Sequence, residues 1–412
     1  MRCAWLLLLP CLGCTRTEQA PEPAASATSP ADAAAKPPKQ ASSGASGDLT
    51  ADAPPAGSHA GAAPAEQFEL PPGWVLDELA DVAPAGPATP TSSGLVVISR
   101  DNQTHFAAYT PRAPADPPGS TQIAALDLPA TELVAMRRGP AVLGSHAYWV
   151  AGRQLLRRAL RGGELEVLAE DARHSTRVAT PPSLARGEPA MVAYIAGEET
   201  LKARLWVEGE GTSTLSEDAA SAISVALTRT SSGLVALSLD ARTGMTSLHA
   251  RPLSMKARRP ALGDDIVVWV GGPADPLTEI VAGESGGQRL GFVAVSRTTT
   301  EFGLATFQLG DRLRARADVS WLAYPNGIDP APVASATVCK TSVVLFAHPA
   351  SSEPRALQEL SLGIVDQGRV TRAAVVARSR AFANVSLAGG PRGGLFAYTA
   401  DRRTWARAIR CR

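Results

Sequence analysis

Short apolar runs separated by glycine-rich polar turns recur from about residue 68 to the end of the chain. Four of them align without gaps: Gly94-Leu-Val-Val-Ile-Ser99, Gly233-Leu-Val-Ala-Leu-Ser238, Gly291-Phe-Val-Ala-Val-Ser296 and Gly394-Leu-Phe-Ala-Tyr-Thr399. Each is rich in residues that favour a strand, starts at glycine and stops at a hydroxyl. Three copies keep the register further, placing Asp101, Asp240 and Asp401 two residues after the hydroxyl and Thr104, Thr243 and Thr404 three residues later. The Gly291 copy has Thr298 and Glu301 at those positions. An aspartate there, followed by threonine, reads as a tight turn between two strands, because its carboxylate accepts bonds from backbone amides just ahead. The competing reading of these aspartates is metal ligation or acid catalysis. Recurrence at one register favours turns.

Weaker copies fill the gaps. Ala190-Met-Val-Ala-Tyr-Ile195 and Ser342-Val-Val-Leu-Phe-Ala347 keep the run, and His146-Ala-Tyr-Trp-Val150 leads to a strand-like Leu155 to Leu160 and a Gly162-Gly163 turn. Starts near 94, 144, 190, 233, 291, 342 and 394 give a mean period of about 50 residues, the repeat length of β-propeller blades. The pattern therefore predicts an all-β fold over 67–412, a β-propeller of seven blades of about 50 residues each. Segments Asp265 to Val270 and Arg369 to Ala377 are expected as outer strands. The last hairpin reaches the C-terminus with no room for an outer strand of its own, so Trp74 to Leu79 is expected to complete its blade. The folded region resembles bacterial repeat propellers in general, and the Tyr148-Trp149 strand with its Gly turn resembles the blade style of secreted ones. The Ser-x-Asp-x-x-Thr turns are similar to the Asp-box of sialidase-like propellers, but the box glycine is missing and the threonine comes one position early. An Asp-box is in any case a structural turn.

The N-terminus reads differently. Met1 and Arg2 precede a short apolar stretch, Trp5 to Leu9 with Leu12, too short to span a bilayer and placed like a secretory signal. Gly13-Cys14 resembles the end of a bacterial lipoprotein signal, in which the cysteine is lipidated and becomes the new N-terminus. Cys11 and Pro10 depart from that pattern. The resemblance implies a signal peptide over 1–13, lipid on Cys14, and a bacterial cell-envelope location, lipid-anchored at the outer membrane; simple secretion and an uncleaved anchor are the alternatives. From 14 to 66 the chain is Ala, Pro, Ser, Gly and Thr with almost no large apolar side chains, a composition that cannot bury enough surface to fold. Such a tether has a root-mean-square reach on the order of 40 Å.

Composition narrows the function classes. Apolar residues are 45% of the chain, enough for a large core, while 36 Gly and 33 Pro with 5% aromatics favour turns over long helices. Lys plus Arg number 40 and Asp plus Glu 39, so a net charge of +1 supplies no long-range field for nucleic acid or acidic lipid, and no nucleic-acid partner is expected. The six histidines (His59, His105, His146, His174, His249, His348) show no metal-ligand spacing, and neither metal nor other cofactor is expected. No nucleophile elbow, phosphate loop or dinucleotide fingerprint is present; Gly283-Glu-Ser-Gly-Gly287 lacks the Lys-Ser/Thr ending. Trp149, Trp206, Trp269 and Trp321 do not follow the repeat and read as packing. With the signal removed and Cys14 acylated, Cys339 and Cys411 remain, and in an exported protein two leftover thiols pair more often than not, although two independent thiols stay open. Such a pair would staple neighbouring blades.

Two functions survive at this level. One is an envelope lipoprotein that presents a non-catalytic propeller as a binding or assembly surface for a protein or glycan and meets the membrane through its lipid. The other is an extracellular propeller enzyme, a glycan, peptide or lactone hydrolase or lyase with its site at the channel mouth. The regions to search for catalytic groups are those where the repeat diverges, His146 to Arg158 and Arg251 to Asp265. The absence of a recurring acid/base pair favours the first.

Overall fold

The computed structural model describes residues 69–77, 80–82, 88–90, 94–98, 104–108, 140–173, 176–216, 220–256, 259–273, 276–284, 291–298, 301–309, 313, 320–325, 333–353, 356–366, 369–400 and 403–411. Every regular element among them is a strand. The chain begins with β1 (Trp74–Leu76) and β2 (Ala80–Val82), then forms a sheet of β3 (Ala88–Pro90), β4 (Gly94–Ile98) and β5 (Thr104–Ala108). Blade I is β6 (Ala141–Leu143), β7 (His146–Ala151), β8 (Gln154–Ala159) and β9 (Glu166–Ala169). Blade II is β10 (Met191–Ala196), β11 (Lys202–Val207) and β12 (Gly211–Thr214), with Ala179 bridged to Ala193 in place of a full inner strand. Blade III has β13 (Ser221–Thr230), β14 (Gly233–Arg242), β15 (Met245–Lys256), β16 (Arg259–Leu262) and β17 (Ile266–Gly271). Blade IV is β18 (Leu277–Glu284), β19 (Gly291–Thr298), β20 (Glu301–Gln308) and β21 (Ser320–Pro325). Blade V is β22 (Val333–Val338), β23 (Thr341–Pro349), β24 (Gln358–Asp366) and β25 (Arg369–Ser379). Blade VI joins β26 (Ala383–Gly390), β27 (Gly393–Ala400) and β28 (Arg403–Cys411) to β1 and β2.

Each blade is an antiparallel meander, and successive blades share a core, so the chain forms a β-propeller. Six blades stand where seven were expected. The Gly94 run does become a strand, β4, in a sheet of three strands among the described residues, which packs through β3 on β26 and β27; residues 109–139, which follow it, lie outside the described residues. Strands covered on both faces read as continuous apolar runs rather than alternating ones. Met191-Val-Ala-Tyr-Ile-Ala196, buried at all six positions, is an example. Near the axis, small residues let backbones approach. A Cβ on Gly389 of β26 would overlap the Thr337 carbonyl of β22, so alanine does not fit there.

The repeat identified the second strand of every sheet but blade II, where it is the first, and did not identify its facing. After Gly233, Leu234 and Ala236 pack on blade II, whereas after Gly291 it is Val293 and Val295 that pack on the preceding blade, and after Gly394 it is Phe396 and Tyr398. The ungapped copies are thus offset by one residue, which in a strand exchanges the two faces. The turn assigned to Asp240 is corrected for a related reason. A two-residue turn at Thr243 (φ 37°) and Gly244 (φ 77°) lets β14 run on to Arg242. Asp240 consequently lies inside the strand, opposite Ala222 and Ser247 and 2% exposed. Asp101 and Asp401 fall outside the described residues, as do Cys14 and the whole of 1–66.

The expected completion of the last blade by the N-terminal segment is present. Trp74 pairs with Cys411, Val75 with Arg410 and Leu76 with Ile409, making β1 the outermost strand of blade VI, and β2 continues along Thr404 to Ala406. Asp77, between them, joins β28 three ways. Its amide donates to the Ala408 carbonyl (3.0 Å), its carbonyl accepts from Arg407 Nε (2.6 Å), and its carboxylate Oδ1 accepts from Arg410 Nε (2.5 Å). Asp77 is 1% exposed. Arg407 also donates to the Val376 carbonyl of blade V (3.3 Å), and its burial pushes the guanidinium below its usual value. Cys339, in the two-residue turn between β22 and β23, is placed as a disulfide with Cys411, with Cα atoms 5.8 Å apart.

Two predictions follow from this closure. Asp77→Ala strands Arg410 in a buried site and should lower stability by about 3–5 kcal/mol. Closing a loop with a sequence separation of 72 should contribute about 4 kcal/mol in the chain-entropy model, so reduction should have a comparable effect. Denaturant unfolding with and without reductant measures both; two free thiols in the unfolded, unreduced chain would disprove the pairing.

Candidate functional site

Among the described residues, Arg177 of the segment before blade II reaches blades IV and V. It lies in the segment leading into blade II, between two isolated bridges, Ala172 with Ala196 and Ala179 with Ala193. The bridged residues are seven positions apart on one strand and three on the other, so the chain leaves the ladder between them. A turn in which the Thr176 hydroxyl donates to the Arg173 carbonyl (2.6 Å) organises this excursion, while Val178 is buried in the core between blades I and II. The Arg177 guanidinium donates to the Val333 carbonyl at the start of β22 (3.0 Å) and stands 3.4 Å from the Glu279 carboxylate in β18. One side chain from blade II therefore ties the inner strands of blades IV and V. Glu279 is 2% exposed and follows a bulge between Leu277 and Glu279; β13 carries a bulge at the same place, between Ala222 and Ser224. Such bulges re-aim side chains at the start of an inner strand.

A second tie sits further along the inner strands. Arg229, one residue from the end of β13, bonds Glu188 through both terminal nitrogens and the Ser183 carbonyl through one (3.1 Å). Burial works to raise the Glu188 pKa, but the Arg229 bonds and the Ala185 amide hold it below the ordinary carboxylate value.

Three polar groups sit on the blade faces. Arg157 of β8 bonds Glu166 and Glu208 and lies over the Trp206 ring, 5.4 Å from its centroid. His348 Nε2 meets Ser361 Oγ at 2.8 Å in blade V; burial keeps this imidazole below its usual pKa. In blade III, His249 Nδ1 is 2.9 Å from Asp265 Oδ2, and Arg251 Nε is 3.6 Å from Asp265 Oδ1. Burial opposes the Asp265 charge, yet His249 and Arg251 hold its pKa below the usual range. His249 is also the cross-strand partner of Ser238, which is 4% exposed. A carboxylate that orients an imidazole is a component of acid/base sites, so this pair has the chemistry that the enzyme reading requires. Among the described residues, no group of three His, Cys, Asp or Glu is placed to hold a metal ion.

Of the residues singled out in the sequence, Asp240 is a buried strand residue, and Cys339 and Cys411 are brought together. His146 to Arg158 supplies the Arg157 cluster, and Arg251 to Asp265 supplies part of the His249 pair. Arg177, Glu279 and Asp77 were missed. Asp77 falls inside the expected strand Trp74 to Leu79, and Arg177 and Glu279 leave only a polar interruption between predicted strands.

No family model and no curated protein matches the chain. Among solved structures it is similar to the N-terminal domain of Nup159, at 9% identity and TM-score 0.45 over 84% of this chain and 98% of that one. It is also similar to BBS1N in complex with ARL6DN, at 10% identity and TM-score 0.46 over 82% and 97% respectively. The propeller assignment rests on the ladders and shared cores of the chain itself.

Arg177→Ala should leave Glu279 without its partner from blade II and lower stability by about 3 kcal/mol, the scale for breaking a buried pair. Unfolding of this variant and of Arg177→Lys checks it, the lysine restoring part of the loss by keeping the charge. Equal stability of wild type and Arg177→Ala would show that the tie carries nothing. Acid should weaken the second tie: the Glu188 pKa is depressed on folding, so its contribution is present above the unfolded-state value and falls as pH drops below about 4.3.

Proposed function

We propose that this chain is a lipid-anchored protein of the bacterial cell envelope whose propeller is a rigid, non-catalytic surface for binding or assembly. The observation that carries the reading is the Arg177 tie, because it places the axis charges in bonds that hold blades II, IV and V to one another. An axis braced in this way suits a scaffold whose outer faces and turns meet a protein or glycan. The Gly13-Cys14 signal and the tether to residue 66 supply the anchor, at the outer membrane. The Cys339–Cys411 bond belongs to the same reading, since an exported protein meets oxidising conditions. The His249–Asp265 pair favours the alternative, an extracellular hydrolase or lyase.

Two measurements on the full chain separate these. Cys14→Ser should abolish lipid labelling and release the protein from the membrane fraction; unchanged labelling and retention would remove the anchor. Assayed against glycans, peptides, esters and lactones, the wild type should show no turnover above buffer. Turnover that disappears in His249→Gln, with an unchanged melting temperature, would replace the scaffold with the enzyme.

A further inference from the structure

Among the described residues, β17 of blade III has β15 as its ladder partner on one side and none on the other, so every second residue of this edge presents its N–H and C=O outward. From Ile266 to Gly272 the edge carries no charge. A bulge opposite Leu248 and His249 makes Val268 an extra residue. Val267 therefore stands beside His249 and Val270 beside Ser247, on one face, where they are 51% and 38% exposed. Met245, two residues before Ser247 on that same face, is exposed as well. The other face is closed, since Ile266, Val268 and Trp269 pack on the core shared with blade IV. Elsewhere outer strands are guarded: β9 carries Glu166 between Glu164 and Glu170, β25 carries Arg369, Arg372 and Arg378, β12 offers no apolar side chain, and β1 is only three residues long. Charge and shortness are two usual defences of an exposed edge, and β17 has neither.

An edge of this kind takes an extended strand. We propose that the strand is β17 of a second copy of this chain, paired antiparallel about a two-fold axis between Val268 and Trp269. In that register the sequence is complementary to itself. Val267 lies opposite the partner's Val270, and Val270 opposite the partner's Val267, so the exposed valines of each copy cover those of the other. The acids at the start of the strand, Asp264 and Asp265, lie opposite the partner's Pro273 and the partner's Gly272 rather than opposite acids. Space beside Gly272 is open, because a Cβ there would meet no atom within 4 Å. A partner of different sequence would find no charge along Ile266 to Gly272 to select it, whereas the strand's own copy satisfies both the apolar pairing and the placement of the acids. Pairing a strand with itself in this way is isologous and closed, so the assembly stops at two. The contact is small, which makes the dimer weak and reversible.

The test uses the full chain carrying Cys14→Ser, so that no acyl chain contributes, and sedimentation equilibrium over a wide range of concentrations. A reversible monomer–dimer equilibrium is expected. Adding V267K with V270K, or V267E with V270E, sets like charges opposite one another at both positions and should raise the dissociation constant on the order of tenfold. An equal mixture of the two double variants should recover the dimer, now with one copy of each, because lysine then meets glutamate. Both valines are exposed in the single chain, so melting temperatures in dilute solution should match that of the parent. A parent chain that stays monomeric at every concentration, a dimer undisturbed by either double variant, or variants that do not associate when mixed overturns the proposal. The result is independent of the anchor reading, which lipid labelling of Cys14 tests by itself.

Discussion

The structure depends on how the chain's first strand is held against its last. A propeller built from consecutive meanders has one blade whose outer strand must come from elsewhere, and here β1 supplies it along Ile409 to Cys411. Strand pairing over three residues is a weak fastening by itself, so what matters is Asp77, where amide, carbonyl and carboxylate all engage β28 within four residues of one another. Burying a carboxylate is unfavourable unless a cation and further donors meet it, and Arg410 with the neighbouring backbone does so here. Arg407 extends the contact to blade V, and Cys411 extends it to the turn at Cys339. Each of these contributions is of the order of a third of a typical domain's stability, which makes the junction a place where single changes matter.

The same logic of pairing recurs at the axis and between blades. Inner strands crowd together, as at Gly389 against Thr337, and leave little space for large apolar residues, so charged and hydroxyl groups that find partners serve instead. Arg177 crosses to Glu279 and Val333, Arg229 fastens the loop of blade II, and the Thr228 hydroxyl of blade III donates to the Gly283 carbonyl of blade IV (3.0 Å). Away from the axis the blades are wide enough for Tyr148, Tyr194, Phe307, Phe346 and Phe396 to be fully buried. This division explains a core rich in Val, Leu and Ala with aromatics few in number yet deeply placed.

Strand identity was legible in the sequence because burial on both faces writes a continuous apolar run; six of the seven runs became the second strand of their sheets, and the seventh, β10, is the first strand of blade II. The outer strands at Asp265 to Val270 and Arg369 to Ala377, β17 and β25, were legible as short β-favouring runs although both are partly exposed. Facing was not, because an all-apolar run carries no alternation to mark its two sides; Ser238 and Ser296 look equivalent but point to opposite neighbours. The seventh expected unit, at Gly94, is described only as the three strands β3 to β5. Asp240 was misread since recurrence with Asp101 and Asp401 suggested a turn, whereas the two-residue turn lies three positions on. Arg177 and Asp77 carry no spacing signature at all: their partners are 102 and 333 residues away, and only the closed fold brings them together.

The central claim is that the N-terminal strand, held by Asp77, completes blade VI. Native-state hydrogen exchange on chains with and without residues up to Val82 tests it most directly. The account predicts that removing the segment exposes the β28 amides between Thr404 and Cys411 and shortens protection through β26 and β27, with blades II to IV less affected. Unchanged protection at Ala406, Ala408 and Ile409 in the truncated chain would contradict it.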